Sequence, residues 1–382
     1  MEQPLYDLSP VLHIMLMGVV VALAPLAWMW LRNKQAAPAR RLQVLTLLVL
    51  FLTFDLVLFG AFTRLTDSGL GCPDWPGCYG QASPSGARAQ IAQAQAEMPT
   101  GPVTHQKAWI EMIHRYLATA VGVLILTLTV GTWVLRRRNA VLSPWWPTVT
   151  LVWVSFQGAL GAWTVTMKLF PAVVTMHLLA GLVLLALLCR QAVTYEHAQQ
   201  GRTPAPVAPG VRAWLFAATV LVWAQAALGG WVSTNYAVLA CSDFPACQGS
   251  WWPPMDFRQG FELWRELGMT AGGEHIGFAA LTAIHYVHRL AAYVVLVVLG
   301  LLAWQLARVA PLRRHARLVG ALAVWQLVSG VSNVVFDWPL LVAVAHTGGA
   351  AGLVLVLTWT LAETTRHTAQ QRAPAGARER SA

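Results

Sequence analysis

Glu111-Met112-Ile113-His114-Arg115 heads an apolar run that ends at Arg136, and His285-Tyr286-Val287-His288-Arg289 heads a second run of the same kind. In each half of the chain one further histidine, His177 or His346, opens a later apolar segment. An ionisable side chain inside a bilayer costs free energy unless it is paired or used. Four histidines in two matched pairs are therefore the feature that any fold for this sequence has to accommodate.

Outward from these pairs the chain is apolar almost throughout. Of its 382 residues 57% are hydrophobic and only 11% charged, with a mean hydropathy of +0.54, a balance that excludes a soluble globular protein. A bilayer-spanning helix needs about 20 apolar residues. Runs of that length lie at 11–31, 43–63, 109–135, 145–167, 172–190, 212–234, 278–306, 317–337 and 340–362. The run at 11–31 has no small-residue cleavage signal behind it and reads as a retained span rather than a signal peptide.

The formal net charge of +10 reflects orientation rather than a nucleic-acid partner. Eighteen of the 26 Lys and Arg fall in five groups: Arg32, Lys34, Arg40 and Arg41; Arg136, Arg137 and Arg138; Arg190, Arg202 and Arg212; Arg308, Arg313, Arg314 and Arg317; Arg366, Arg372, Arg378 and Arg380. These groups occupy alternate loops and the carboxy-terminal tail, so the positive-inside rule places them in the cytoplasm. The amino terminus and two long loops then face outward, which an odd number of spans permits.

Cysteine usage agrees with that orientation. Cys72 and Cys78 lie in the first outer loop and Cys241 and Cys247 in the second, both as C-x5-C. In an oxidising compartment two intraloop disulfides are the natural expectation. Zinc is the competing reading, but neither pair has a histidine at tight spacing beside it. Cys189, at a cytoplasmic helix end, reads as an inert free thiol.

The halves are copies. The differences 241−72, 247−78, 249−80, 326−157, 330−161 and 346−177 all equal 169, spanning two cysteines, a glycine, a glutamine, a glycine and a histidine. A constant offset over several helices marks a duplicated four-helix unit. His288 and His114 differ by 174, so the second outer loop has gained five residues. The expected fold is an all-α polytopic membrane protein: two tandem four-helix transmembrane bundles related by a pseudo-two-fold axis along the membrane normal, plus one amino-terminal helix. The corresponding divisions are 1–41 for the extra helix and its link, 42–197 for the first half, 198–211 for a proline-containing cytoplasmic linker, 212–366 for the second half and 367–382 for a disordered tail. Residues 81–104 read as a flexible or loosely helical outer insertion.

Two imidazoles at matching depth on adjacent helices can bind one iron from opposite faces. A porphyrin supplies the four equatorial nitrogens and leaves the protein the axial positions. His114 with His177, and His288 with His346, thus outline two haem-sized sites near the outer face. Arg115 and Arg289 each follow a histidine and point about 100° away around the helix; with Arg64 they are candidates for haem propionates or for lipid headgroups. Glu111 stands one helical turn before His114, whereas the equivalent place before His288 holds His285. A carboxylate next to an iron-bound porphyrin can take a proton or stabilise positive charge, so the first half is the candidate for chemistry and the second for a fixed electron carrier. Glu111 could equally be a first-turn acid favoured by the helix dipole.

Together, Thr63-Arg64-Leu65-Thr66-Asp67-Ser68-Gly69-Leu70-Gly71-Cys72-Pro73-Asp74-Trp75-Pro76-Gly77-Cys78, Glu111-x2-His114-Arg115, His177, His288-Arg289 and His346 resemble the haem A synthase family of bacteria and mitochondria. The likeness covers about residues 43 to 362, leaving the first span outside that family's eight-helix core. It implies an oxidoreductase that converts the C8 methyl group of haem O to the formyl group of haem A by successive hydroxylations and loss of water. By the resemblance, His114 and His177 face the substrate haem iron, His288 and His346 ligate the iron of a haem b cofactor, Glu111 adjoins the reacting edge, and Cys72–Cys78 is the outer-loop disulfide that supports structure or electron exchange.

The resemblance also implies a multi-pass protein of the bacterial cytoplasmic membrane with periplasmic cysteine loops and a cytoplasmic carboxy terminus. Its partners would be a membrane haem O synthase, terminal oxidase assembly factors, membrane lipid and a second copy in a homo-oligomer, with no nucleic acid. Because product has to leave, the first histidine pair should bind more weakly than the second. Two other readings keep parts of the pattern. A di-haem b-type electron carrier linked to quinol needs all four histidines but gives no reason for Glu111 to differ from His285, and a transporter built on a parallel repeat needs no haem.

Overall fold

The computed structural model describes residues 9–137 and 142–366. Arg138, Arg372, Arg378 and Arg380, and the tail expected to be disordered, lie outside the described residues. Eleven helices follow in order: α1 (Ser9–Arg32), α2 (Pro38–Leu65), α3 (Arg88–Glu97), α4 (His105–Arg136), α5 (Trp145–Thr166), α6 (Pro171–Gln200), α7 (Pro209–Thr234), α8 (Phe257–Gly260), α9 (Phe278–Ala307), α10 (Arg313–Val335) and α11 (Leu340–Ala362). Nine of them, among the described residues, are long and apolar enough to cross a membrane, which bears out the nine expected spans. The short α3 lies in the outer insertion.

Local signals set the helix ends. Proline opens α2, α6 and α7, where its missing N–H would have no intrahelical partner anyway. Thr104 caps α4, its hydroxyl accepting the Lys107 N–H at 3.2 Å. Gly201, at φ 62°, ends α6 in a left-handed residue. Several helices run beyond the apolar stretches: α2 starts at Pro38 rather than 43, α4 at His105 rather than 109, and α6 continues to Gln200 rather than 190. The hydrocarbon core dictates only where a span must be apolar, and helical hydrogen bonding propagates past it.

The same packing recurs in both halves. Helix α2 packs on α4 as α7 packs on α9, and α5 packs on α6 as α10 packs on α11. Between halves α2 meets α11, α7 meets α6, and α6 meets α11. The core joining them includes Leu182, Leu185, Leu215, Leu299, Leu353 and Leu357. Close approach depends on small residues, as it must where lipid removes the hydrophobic drive between helices: a Cβ on Gly348 of α11 would sit 2.6 Å from Leu58 of α2.

Backbone geometry repeats even where side chains do not. The described non-glycine residues with positive φ are Asp67, Tyr79, Lys168, Leu169, Tyr236, Gln248, Asp337 and Trp338, and each of the first four finds its mate 169 positions later. Two contacts join such mates to one another: Arg64 donates to the Ser233 carbonyl at 2.5 Å, and the Tyr236 hydroxyl bonds Asp67. A residue can reach its own repeat mate only near the relating axis, so these contacts are consistent with a pseudo-two-fold arrangement.

Helix α1 packs on α4 and α2, with Gly18 so close to α4 that a Cβ there would lie 2.4 Å from Thr119 Cγ2. Its other face leaves Leu12, Leu16, Val20 and Leu23 exposed, as a lipid-facing helix should. Ala205–Val207 pairs in parallel with Thr364–Arg366, tying the connection between halves to the end of α11.

Candidate functional site

One continuous cavity of about 850 Å³ runs between the halves, and Glu111, His114, His177, His285, His288 and His346 all line it. The four paired histidines stand on α4, α6, α9 and α11, and each ring lies against a glycine of a neighbouring helix. A Cβ added at Gly60, Gly161, Gly229 or Gly330 would fall 3.1, 3.2, 3.0 or 3.3 Å from Cε1 of His114, His177, His288 or His346, respectively. The glycines thus form a cradle for each imidazole edge, and any larger residue would push the ring out of place.

Four residues before three of these glycines stands a glutamine whose Nε2 donates to the backbone carbonyl of the same histidine. Gln157 reaches His177 O at 2.9 Å, Gln225 reaches His288 O at 3.0 Å and Gln326 reaches His346 O at 2.9 Å. The corresponding place before Gly60 is Leu56. The sequence shows Gln-x3-Gly at 157 and 326 as a repeat marker. The same spacing at Gln225 and Gly229 is the signal that would have revealed the histidine cradles, since it falls on a helix preceding a histidine helix each time.

Glu111 is 4% exposed and doubly bonded. Its Oε2 accepts the Cys72 backbone N–H at 2.8 Å, and its Oε1 accepts from Arg115 Nη2 at 2.5 Å. Arg115 Nη1 in turn donates to the carbonyls of Asp74 and Pro76, at 3.1 and 3.0 Å, and to that of Gly77. Gly71 makes this possible, because a Cβ there would meet the Lys107 carbonyl carbon of α4 at 2.4 Å. The cysteine loop can lie on α4 only without a side chain at that point, and so bring the Cys72 N–H onto the carboxylate. A buried carboxylate kept in place by a charge-assisted pair and a backbone donor is preorganised.

The second half performs the same fastening with an imidazole in place of the carboxylate. Arg289 donates to the carbonyls of Asp243 and Ala246 at 2.9 and 2.7 Å. His285 bonds the Ala237 carbonyl through Nδ1 at 3.0 Å, and its Nε2 lies 3.4 Å from Arg289 Nη2. With Nδ1–H donating, Nε2 is left as an acceptor, so His285 fills the place of Glu111 without supplying a negative charge.

Arg64, Arg115 and Arg289 all line the cavity, yet each is engaged by the protein. Arg115 and Arg289 hold the two loops, while Arg64 bonds Ser233 and lies 4.0 Å over the Tyr236 ring. Both expected disulfides, Cys72–Cys78 and Cys241–Cys247, are formed. Cys189 is a buried free thiol. In each loop an aspartate organises the chain after the disulfide: Asp74 accepts from the N–H groups of Tyr79 and Gly80, and Asp243 from those of Gln248 and Gly249. The Gly249 N–H, with that of Gln248, holds the Asp243 carboxyl below the usual carboxylate range. Asp55 is exposed on α2 and makes no ion pair among the described residues.

The donor set fits a tetrapyrrole better than a bare ion. No group of three or more His, Cys, Asp or Glu side chains converges on a point among the described residues, so each histidine pair is a set of two donors. Two donors complete the coordination of an iron that already carries four equatorial nitrogens. The Nδ1 atoms of His114 and His177 are buried with no partner, so these rings are not committed to a protein network on that edge.

Residues 43–358 match the COX15-CtaA family model, described as cytochrome oxidase assembly protein. The chain is 38% identical over 326 residues to a protein of Shewanella oneidensis named "Heme A synthase", covering 83% of this chain and 95% of that one. A protein of the same name from Allorhizobium ampelinum is 30% identical over 349 residues, covering 86% and 91%. Another from Alkalihalophilus pseudofirmus is 25% identical over 319 residues, covering 80% and 92%.

Proposed function

The chain belongs to the COX15-CtaA family of cytochrome oxidase assembly proteins, and on that premise we propose that it makes haem A from haem O within the membrane. The C8 methyl group of haem O is oxidised by successive hydroxylations and loss of water from the geminal diol leaves the formyl group, a net loss of four electrons and four protons that an external electron acceptor has to take up. The observation that carries this reading is the unequal pair of sites in one cavity: matched histidines in both halves, with Glu111 in one and His285 in the other.

In this reading His114 and His177 hold the iron of the substrate and Glu111 stands by the reacting methyl group. His288 and His346 hold a haem b, which when bound supplies an electron-transfer centre. Glu111 carries out proton handling at its carboxylate oxygens, with Arg115 and the Cys72 N–H fixing their direction. The cysteine loop covers this end of the site and limits water there, which strengthens each charge interaction inside. The cavity wall is built from membrane-spanning helices, so a poorly soluble substrate enters from the bilayer. In this reading the basic helix ends face the cytoplasm, and the positive-inside rule supports a periplasmic side for the amino terminus and both disulfides.

Expression of the chain with a haem O synthase in cells that lack haem A, followed by pigment extraction, tests the proposal. Haem A, or its hydroxylated precursor, is the expected product. Extracts holding neither, from cells that contain the folded and haem-loaded protein, would leave a b-type electron carrier as the better reading.

A further inference from the structure

The four histidines are alike, but what stands behind their rings is not. Ser329, 1% exposed, donates its hydroxyl proton to the Trp325 carbonyl at 2.6 Å and lies 2.8 Å from His346 Nδ1. With its own proton spent, Oγ can only accept from the ring, so His346 carries its proton on Nδ1 and keeps the Nε2 lone pair free. The place equivalent to Ser329 in the first half, 169 positions earlier, is Leu160, and His177 Nδ1 is buried without a partner.

The other helix pair repeats this contrast. The Gln225 amide lies 3.0 Å from His288 Nδ1, and its Oε1 has no partner. Its Nε2 also donates to the His288 backbone carbonyl at 3.0 Å, so this amide presents a donor and not an acceptor to the ring, and the contrast at this pair is one of polarity alone. The equivalent of Gln225 is Leu56, and His114 Nδ1 is likewise buried and unpartnered. Both second-half rings therefore have a polar group at Nδ1, and both first-half rings have leucine at the same repeat positions.

A histidine that donates from Nδ1 is held in the ligating tautomer and is a stronger base at Nε2, an effect on the order of 10- to 100-fold in metal affinity. A ring that ligates through Nε2 with its Nδ1–H buried and unpaired loses that support and bears the desolvation of an unmade hydrogen bond. We propose that the group behind the ring decides which tetrapyrrole stays: Ser329 is a positioning residue that helps His346 retain a resident haem b, and Leu160, at the equivalent place behind His177, keeps the first site exchangeable. This rests on the assignment of substrate and cofactor halves made above.

The test uses the full chain, purified in detergent and loaded with haem b, and follows haem transfer to excess apomyoglobin by the Soret band together with the midpoint potential. Ser329→Ala is expected to speed haem loss roughly 10- to 100-fold and to raise the potential, because a less basic imidazole favours the ferric iron less. In a His288→Ala background, where only the first site remains, Leu160→Ser is expected to slow haem loss about tenfold; its hydroxyl can bond Phe156 O as Ser329 bonds Trp325. Unchanged rates and potentials in both directions, with His288→Ala still removing the resident haem, would overturn the proposal and leave the assignment of halves intact. Undiminished haem content in His288→Ala itself would overturn both.

Discussion

Glu111 illustrates how much one carboxylate depends on its neighbours. Arg115 and the Cys72 N–H bind its two oxygens separately, so the orientation of the group is fixed. Glu111→Ala is expected to keep the b-type absorbance of the purified protein and to lower haem A formation by about 10²- to 10⁴-fold, the usual worth of a placed acid or base. Pigment extraction beside a visible spectrum checks it, and unchanged product would remove Glu111 from the chemistry. The sequence distinguishes Glu111 from His285 but not the bonds that each makes, because Cys72 and Ala237 lie dozens of residues away from them and reach them only when a loop folds back.

At the scale of elements, the glycines and the cysteine loops decide where the helices may approach. Gly229 lies so near the His288 ring that Gly229→Val has to displace it. Haem b retained after purification is expected to fall at least about tenfold, read from the Soret absorbance per protein, while helix content by circular dichroism stays unchanged. The loop around Cys241 and Cys247 gives a pH prediction. Backbone N–H groups hold the Asp243 carboxyl below its usual range, so its contribution is present above the unfolded value of about 3.9 and fades as pH falls through the lower folded value. Reduction of that disulfide by a phosphine is therefore expected to accelerate below about pH 4 in the native chain and to lose that dependence in Asp243→Asn. A pH-independent native rate would show that the aspartate does not hold the loop closed.

On the scale of the whole molecule, α1 is the element that the family match leaves out, since the match begins at residue 43. It is nonetheless part of the site: Ile14 and Met15 line the cavity, and Gly18 brings α1 against α4 beside the turn that follows His114. Deletion of residues 1–32 is expected to leave the second-half haem and its spectrum in place and to speed haem exchange at the first half several-fold. Apomyoglobin transfer from the truncated chain measures this; equal exchange rates would make α1 a passive anchor. The arrangement of the halves also explains why one cavity serves both histidine pairs, since α2, α6, α7 and α11 meet between them.

The amino-acid sequence by itself determined the membrane class and the nine spans, and it supplied the reading of a duplicated four-helix plan with which the packing is consistent, along with the histidine, glutamate and cysteine positions. Each of these is written in periodicity, composition or a constant spacing of 169, and none needs a distant contact. Only the tertiary structure decided which glycine cradles which histidine, that Arg115 and Arg289 fasten loops, that Glu111 meets the Cys72 N–H, and that α1 walls the cavity. These are pairings between residues on different helices, and hydrophobic periodicity says which face of a helix is apolar but not which neighbour that face meets. The difference between Glu111-x2-His114 and His285-x2-His288 thus began as a difference of residue type. In the fold it extends to the atoms behind the rings, where leucine stands in one half and Gln225 and Ser329 in the other.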